Sequence, residues 1–242
     1  QWNKPFSTGL GGMAVTKGED LARRLFDLEK KAVPPSFKDM WMLRLLLFVR
    51  NRLFTPGLYW RALKAYRFLS KYNIVLGSSQ GYELEKPVMP KDFLKGFSTV
   101  QAKEGLKYFD KVNGRYRIDL VIEHRRKVAR FYKEVLTELG VEPPFEPDYA
   151  EHAFLKFPLL VRDRKRFFAE AERERIELGD WFISPIHPIT KNFELWYYRW
   201  GENPIAERIS QHIVNLPTHP RVDDSYAARV AEVLKRNQNL LI

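Results

Sequence analysis

The stretch "RIDLVIEHRRKVARFYKEVLTELG" limits what this chain can become more than any other. Apolar side chains recur at Ile118, Val121, Ile122, Val128, Ala129, Tyr132 and Leu136. That spacing is one stripe of an α-helix running from about Tyr116 to Leu139, and Gly140 stands where a helix closes through the left-handed conformation. "EPPFEPD" then reads as a linker, and the composition changes beyond it.

Downstream, "AFLKFPLLV" predicts a strand. Asp163 caps a helix over "RKRFFAEAERERIEL" that Gly179 ends, and "WFISPI" predicts a second strand. Asn203-Pro204 opens a helix over "IAERISQHIV", and "LPTHP" leads into a last helix, "DSYAARVAEVLKR". Strand, helix, strand, helix, helix is the order of a small α/β unit. Upstream, "GGMAV" reads as a glycine turn feeding a short strand. Thr16 and Glu19 have the spacing of a capping box before "DLARRLFDLEKK", whose stripe is Leu21, Leu25 and Leu28 and which Pro34-Pro35 end. Ser98 and Gln101 repeat that spacing before "TVQAKEGLKYFDKV".

Between these parts, Met40 to Tyr82 contains no acidic residue. Met40–Leu53 is apolar on most faces, and Thr55-Pro56 opens a second helix. On that helix Arg61, Lys64, Arg67 and Lys71 fall on one side, with Tyr59, Ala62, Leu63, Tyr66 and Leu69 on the other. The pair reads as a basic, apolar helical insertion with two open readings. One is a membrane-surface element, because aromatic and leucine faces with basic flanks suit an anionic headgroup layer. The other is two helices packed on the rest of the protein or across a dimer interface. The longest apolar run, "MWMLRLLLFV", holds Arg44 and is too short to cross a bilayer as a helix.

The 242 residues are 45% hydrophobic, enough for one large domain or two small ones. With no cysteine, disulfides, thiolate zinc sites and cysteine nucleophiles are excluded. The five histidines show no helical metal-ligand spacing, so no metal site is expected. The net charge of +11 favours anionic partners without choosing among them. Basic clusters such as "EHRRKVAR" and "RDRKR" read as wet helix faces with glutamates nearby, and nucleic acid is not an expected partner.

The opening "NKPFSTGLGGMAVT" sets a lysine, Lys4, seven and eight residues before Gly11 and Gly12. Alone, Lys4 reads as a solvated lysine and "GLGG" as a tight turn, neither a Walker loop nor a dinucleotide fingerprint. Four segments taken in order say more. With "STVQAKEGLKYFDKV", with "RRKVARFYKEVL" (Arg125, Arg126, Ala129, Tyr132), and with the C-terminal stretch carrying Ile186-His187-Pro188 and Asn215 to Pro220, the chain resembles the DegT/DnrJ/StrS family of pyridoxal-phosphate sugar aminotransferases. The resemblance covers about Asn3–Lys31 and Phe93 to the end.

The resemblance implies an α/β fold: the C-terminal part of a fold-type-I transferase carrying the inserted helical pair. Residues 1–37 would be the tail of the large cofactor-binding domain, 38–92 the insertion, 93–142 connecting helices and 143–242 the small α/β domain. It implies pyridoxal 5'-phosphate as cofactor, with Lys4 as catalytic residue and covalent anchor. His187 would lie near the substrate. The implied reaction moves an amino group, with glutamate the expected donor, to a keto group of a nucleotide-linked sugar in polysaccharide or natural-product sugar biosynthesis. Relatives with histidine in place of this lysine dehydrate instead, and Lys4 argues against that branch. The implied assembly is a homodimer with sites at the subunit boundary. The implied location is cytoplasmic, or peripheral to the inner membrane face if the insertion at 40–82 meets lipid.

The chain begins with Gln1 and is read as an excerpt. The serine that meets the cofactor phosphate, the ring-stacking residue and the aspartate that pairs the pyridine nitrogen would lie upstream, so the excerpt alone is expected to bind the cofactor poorly. The family's Asn and Arg that reach the neighbouring site fall on Leu94 and Gly96, and that contact is not carried over. The alternatives are a non-catalytic dimerisation or interaction module of the same fold, or a peripheral membrane-binding protein acting through the insertion.

Overall fold

The computed structural model describes residues 4–9, 11–12, 14–53, 87–89 and 94–242. The second helix of the expected insertion, from Thr55 onward, lies outside them. Two compact units are present, Gln1–Arg117 and Ile118–Ile242.

In the first unit, α1 (Glu19–Lys30) and α2 (Phe37–Leu53) are followed by α3 (Thr99–Leu106), a 3-10 turn over Lys107–Phe109, and a hairpin of β1 (Lys111–Val112) and β2 (Arg115–Tyr116). The Ser98/Gln101 capping box forms as the spacing predicts: Gln101 N donates to Ser98 Oγ at 3.3 Å and Ser98 N to Gln101 Oε1 at 2.9 Å. Two expectations are corrected here. Thr16 and Glu19 make no capping box. The helix starts at Glu19 itself, and the Thr16 hydroxyl accepts from Gly18 N at 3.1 Å in a local turn instead. Nor do the described residues after Gly12 form a strand: Ala14 and Val15 are exposed and unladdered, since a strand needs a neighbour that local sequence cannot supply. The hairpin is legible in "VNGR" but is not among the expected elements. Asn113 and Gly114 both take positive φ, 51° and 79°, the geometry that Asn-Gly hairpin turns use.

The chain on either side of Pro34–Leu94 is held together by backbone pairing. Val33 N donates to Leu94 O at 2.7 Å and Gly96 N to Val33 O at 2.8 Å, which makes a parallel bridge between Val33 and Lys95.

In the second unit, α4 (Arg117–Glu138) has the predicted stripe. Val128, Ala129, Tyr132 and Leu136 are buried, whereas Ile118, Val121 and Ile122 are half-buried. Gly140 closes the helix at φ 69°, with Val141 N donating to Leu136 O at 2.9 Å. β3 (Phe157–Leu160) comes next, then α5 (Arg164–Arg173), capped by Asp163 through Arg166 N at 2.9 Å. The unit is completed by α6 (Pro204–His212, with Pro at its start), β4 (Ile213–Leu216) and α7 (Asp224–Arg236). β3 and β4 pair antiparallel, Phe157 opposite Leu216 and Leu160 opposite Ile213.

The order is therefore strand, helix, helix, strand, helix. "WFISPI" is irregular; the partner of β3 is "IVNL", whose first residues the sequence assigns to the end of a helix. Val214 and Leu216 are fully buried and Asn215 nearly so, so the strand lacks the alternation that would reveal it. α5 also ends well before Gly179, with Arg175 in the left-handed region at φ 56°. Gly179 instead exchanges backbone hydrogen bonds with Asn215, at 2.8 and 3.0 Å. The core joins Tyr132 and Leu136 of α4 to Phe157, Phe167, Val214 and Leu234, and the Tyr132 ring meets Phe157 edge-on at 5.5 Å.

Leu136→Ala deletes buried methyl groups from this core and is expected to cost about 2–5 kcal/mol. Tyr132→Phe removes one buried hydrogen bond and is expected to cost about 1 kcal/mol. Urea unfolding monitored by circular dichroism checks both; equal costs would mean that packing here does not track burial.

Candidate functional site

Lys4 lies in a bend of the first unit with its side chain exposed. The residues after it turn inward. Ser7 is buried and its hydroxyl accepts from Gly9 N at 3.2 Å. The Phe6 ring sits 5.8 Å from that of Tyr108 and 6.4 Å from that of Phe109. Gly11, at φ 105°, passes so close to α3 that a Cβ there would lie 3.3 Å from Gln101 Nε2 and 3.4 Å from the Phe97 ring. Two of the sequence segments singled out above are thus packed together within one unit: the lysine bend and the capped α3 segment.

The donor set tests the implied cofactor. An exposed primary amine can condense with an aldehyde, so Lys4 fits the covalent anchor. The nearest hydroxyls in sequence are Ser7 and Thr8, and the first carboxylate along the chain is Glu19, exposed in the first turn of α1. Of the cofactor's four expected attachments (amine anchor, phosphate serine, stacking residue and pyridine-pairing aspartate), the amine is the one these residues provide.

The other segments meet in the second unit, where they serve as fasteners. Arg125 is buried; its Nη1 donates to Leu155 O at 2.7 Å and to Thr218 Oγ1 at 3.0 Å. Burial pushes its guanidinium down to about 10. Tyr132 OH donates to Pro217 O at 3.0 Å, and burial raises its phenol well above the usual range. Arg126 Nε donates to His152 O at 3.0 Å and Ala129 is fully buried. The Asn215–Pro220 step is therefore clasped to α4, and Asn215 Nδ2 also donates to Trp181 O.

His187 lies in this unit and Lys4 in the other. The imidazole sits 5.7 Å from the Trp181 ring and 5.4 Å from that of Phe182. Ile183 N donates to its Nδ1 at 3.3 Å, which assigns the proton of the neutral ring to Nε2. Burial holds its pKa below the ordinary value, Asp180 opposes that, and Arg164 adds to it.

Sequence reading passes over Lys156, a lysine inside the apolar run that begins β3. Its Nζ occupies the space beside Gly179, where a Cβ would lie 2.5 Å from it, and stands 5.8 Å from the Trp181 ring. Burial lowers its pKa; Glu177 and Asp180 oppose that, and Arg125 adds to it. The signal is present, a cation among Phe154, Leu155 and Phe157, but its setting comes from residues far away in sequence.

His187 and His124 are both held below 6.5 by burial. A folded state that binds protons less readily than the unfolded chain loses stability as pH falls from about 6.5 toward the folded-state values. Urea midpoints are expected to decline between pH 7 and pH 5.5, with the His187 resonance titrating below 6.5; a midpoint above 6.5 would contradict the burial. The Lys156 charge opposes folding for the same reason, so Lys156→Met is expected to keep or raise the urea midpoint at neutral pH. A lowered midpoint would show that the ammonium is a fastener like Arg125.

Residues 115–235, half of the chain, match the DegT/DnrJ/EryC1/StrS aminotransferase family. Over 240 residues the chain is 22% identical to an uncharacterized protein of Methanocaldococcus jannaschii, covering 96% of this chain and 51% of that protein. It is 27% identical over 112 residues to the UDP-N-acetyl-3-dehydro-alpha-D-glucosamine 3-aminotransferase of Acidithiobacillus ferrooxidans, covering 46% of this chain and 30% of that enzyme. A crystal structure of a DegT DnrJ EryC1 StrS aminotransferase from Brucella abortus aligns with a TM-score of 0.48 at 22% identity, over 59% of this chain and 36% of that one. The chain spans about half the length of the first relative and under a third of the second. The matched range takes in the whole α4 clasp and runs through both paired strands to the last helix: the chain belongs to the DegT/DnrJ/EryC1/StrS aminotransferase family.

Proposed function

We propose that this chain is the Lys4-bearing C-terminal part of a fold-type-I, pyridoxal-phosphate-dependent aminotransferase that aminates a keto group on a nucleotide-linked sugar, with glutamate as donor. One juxtaposition in a chain of this family supports the reading: an exposed lysine on a glycine-rich bend packed against the α3 segment. The relative from Acidithiobacillus ferrooxidans, a nucleotide-sugar aminotransferase by name, supports the substrate class.

Pyridoxal phosphate, when bound, supplies an aldehyde that holds amines and a ring that accepts the electron pair left at the substrate carbon. The role of Lys4 Nζ is to hold that aldehyde and, once displaced by the incoming amine, to move a proton at the substrate carbon. An amine does so only when unprotonated, and desolvation or a neighbouring cation favours that state. Lys4 stands open in its unit, and we assign its covering to a second copy in a homodimer. His187, its ring fixed through Nδ1 and its neighbours Trp181 and Phe182, presents Nε2–H as a donor for a sugar hydroxyl or phosphate oxygen.

Borohydride reduction in the presence of pyridoxal phosphate, then peptide mapping, tests the reading in the whole protein. The expected result is a dominant pyridoxyl adduct on Lys4 that disappears in Lys4→Ala, leaving only scattered surface labelling. No adduct on Lys4 would overturn the transferase reading and leave an interaction module on the same fold.

A further inference from the structure

α2 divides its side chains in two. Leu43 and Leu47 are buried, whereas Phe37, Trp41 and Phe48 are 78%, 57% and 60% exposed. At a helical repeat of about 100° per residue, Phe37, Trp41, Arg44, Leu45, Phe48 and Arg52 share one open face. Beside it runs a shallow groove of about 280 Å³ between α2 and α3, bordered by Arg44, Phe48, Lys103 and Lys107. The carboxylates nearby are occupied. Asp39 accepts from Ser36 N at 3.0 Å and from Ser36 Oγ at 2.8 Å and lies 3.2 Å from Lys95 Nζ. Glu104, in the groove, is paired with Lys107 at 2.6 Å. From Met40 to Tyr82 the sequence has seven lysines and arginines and no aspartate or glutamate.

We propose that the open face of α2, with the cation-lined groove beside it, docks the protein on an anionic phospholipid surface. Phe37, Trp41 and Phe48 would enter the boundary between headgroups and acyl chains, where amphipathic helices place their aromatic residues. Arg44 and Arg52 extend along the same face and reach back to the phosphates, while Lys103 meets headgroups from the groove. The helix lies on the membrane, not across it: among the described residues no helix is long and apolar enough to span one. Charge selects this occupant over a second copy of the chain. A two-fold contact through this face would set Arg44 and Lys103 near their own copies, with no spare carboxylate among the described residues of the face to separate them. α1 provides the contrast. It also exposes Leu21, Phe26 and Leu28, but its twelve residues carry Glu19, Asp20, Asp27 and Glu29, which an anionic surface repels.

Co-sedimentation of the full chain with phosphatidylglycerol–phosphatidylcholine vesicles, and with phosphatidylcholine vesicles alone, tests this. Pelleting with the anionic vesicles is expected, weakened by salt. Trp41→Ala/Phe48→Ala and Arg44→Glu/Lys103→Glu, each checked for folding by circular dichroism, are expected to lower the partition coefficient about tenfold or more. The α1 variant Phe26→Ala/Leu28→Ala is expected to bind like the parent. Three results would overturn the proposal: equal pelleting with neutral vesicles, α2 variants that bind like the parent, or an α1 variant that loses as much. Binding to a single-stranded oligonucleotide in place of vesicles would overturn it too. None of these outcomes depends on Lys4.

Discussion

The second unit depends on a clasp between α4 and the segment that leaves β4. Arg125 and Tyr132, two turns apart on the buried face of the helix, donate to Thr218 and to the carbonyl of Pro217. Thr218 passes the connection on, its hydroxyl donating to Phe154 O at 2.7 Å. A buried guanidinium is costly to desolvate, and here Nη1 recovers part of that cost by meeting two fixed acceptors, Leu155 O and Thr218 Oγ1. Four stretches are fixed at once: the helix, the approach to β3, the end of β4 and, through Asn215, the loop at Gly179 and Trp181. The paired-arginine helix and the Asn-Leu-Pro step lie within the range that matches the family, and in this fold they fasten the unit together. Here a recognisable motif and a catalytic residue are different things.

The same distinction explains how much of the fold is legible in the sequence. Features written in a few neighbouring residues come through: the Ser98/Gln101 box, the Asp163 cap, Pro204 at the start of its helix, and Gly140 at the end of α4. Each is decided by backbone groups within one turn. The Thr16/Glu19 pattern has the same spacing and fails because the turn at Gly18 takes the threonine hydroxyl first. The strand beside β3 is a different case. "WFISPI" is more strand-like by composition than "IVNL", yet the place beside β3 goes to the segment that the α4 clasp and the Gly179 bonds hold there. Pairing is a long-range choice, and β propensity is too weak to make it alone.

The candidate site divides along the same line. Lys4 has no local signature of reactivity and gains interest only through its order relative to three later segments. The fold adds that its bend is packed on α3 through Gly11 and on the turn after α3 through Phe6. Lys156 is the reverse case. A lysine inside an apolar run is visible at once, but its unusual setting is made by Gly179 and Trp181, which leave the ammonium room and a ring to face. Its importance can be seen only once the chain has folded.

The segment from Pro34 to Leu94 leaves the first unit and rejoins it at one point. Its two ends are joined by the Val33–Lys95 bridge, and Lys95 reaches Asp39 at the foot of α2. With entry and exit held side by side, added length costs little beyond a slowly growing loop-closure entropy. In α2 one side supplies Leu43 and Leu47 to packing and the other supplies aromatics and arginines to the surroundings. Depletion of carboxylates serves no packing purpose on an exposed face, where mixed charges keep a protein soluble. A face that is at once apolar, basic and free of acid is shaped by what it meets.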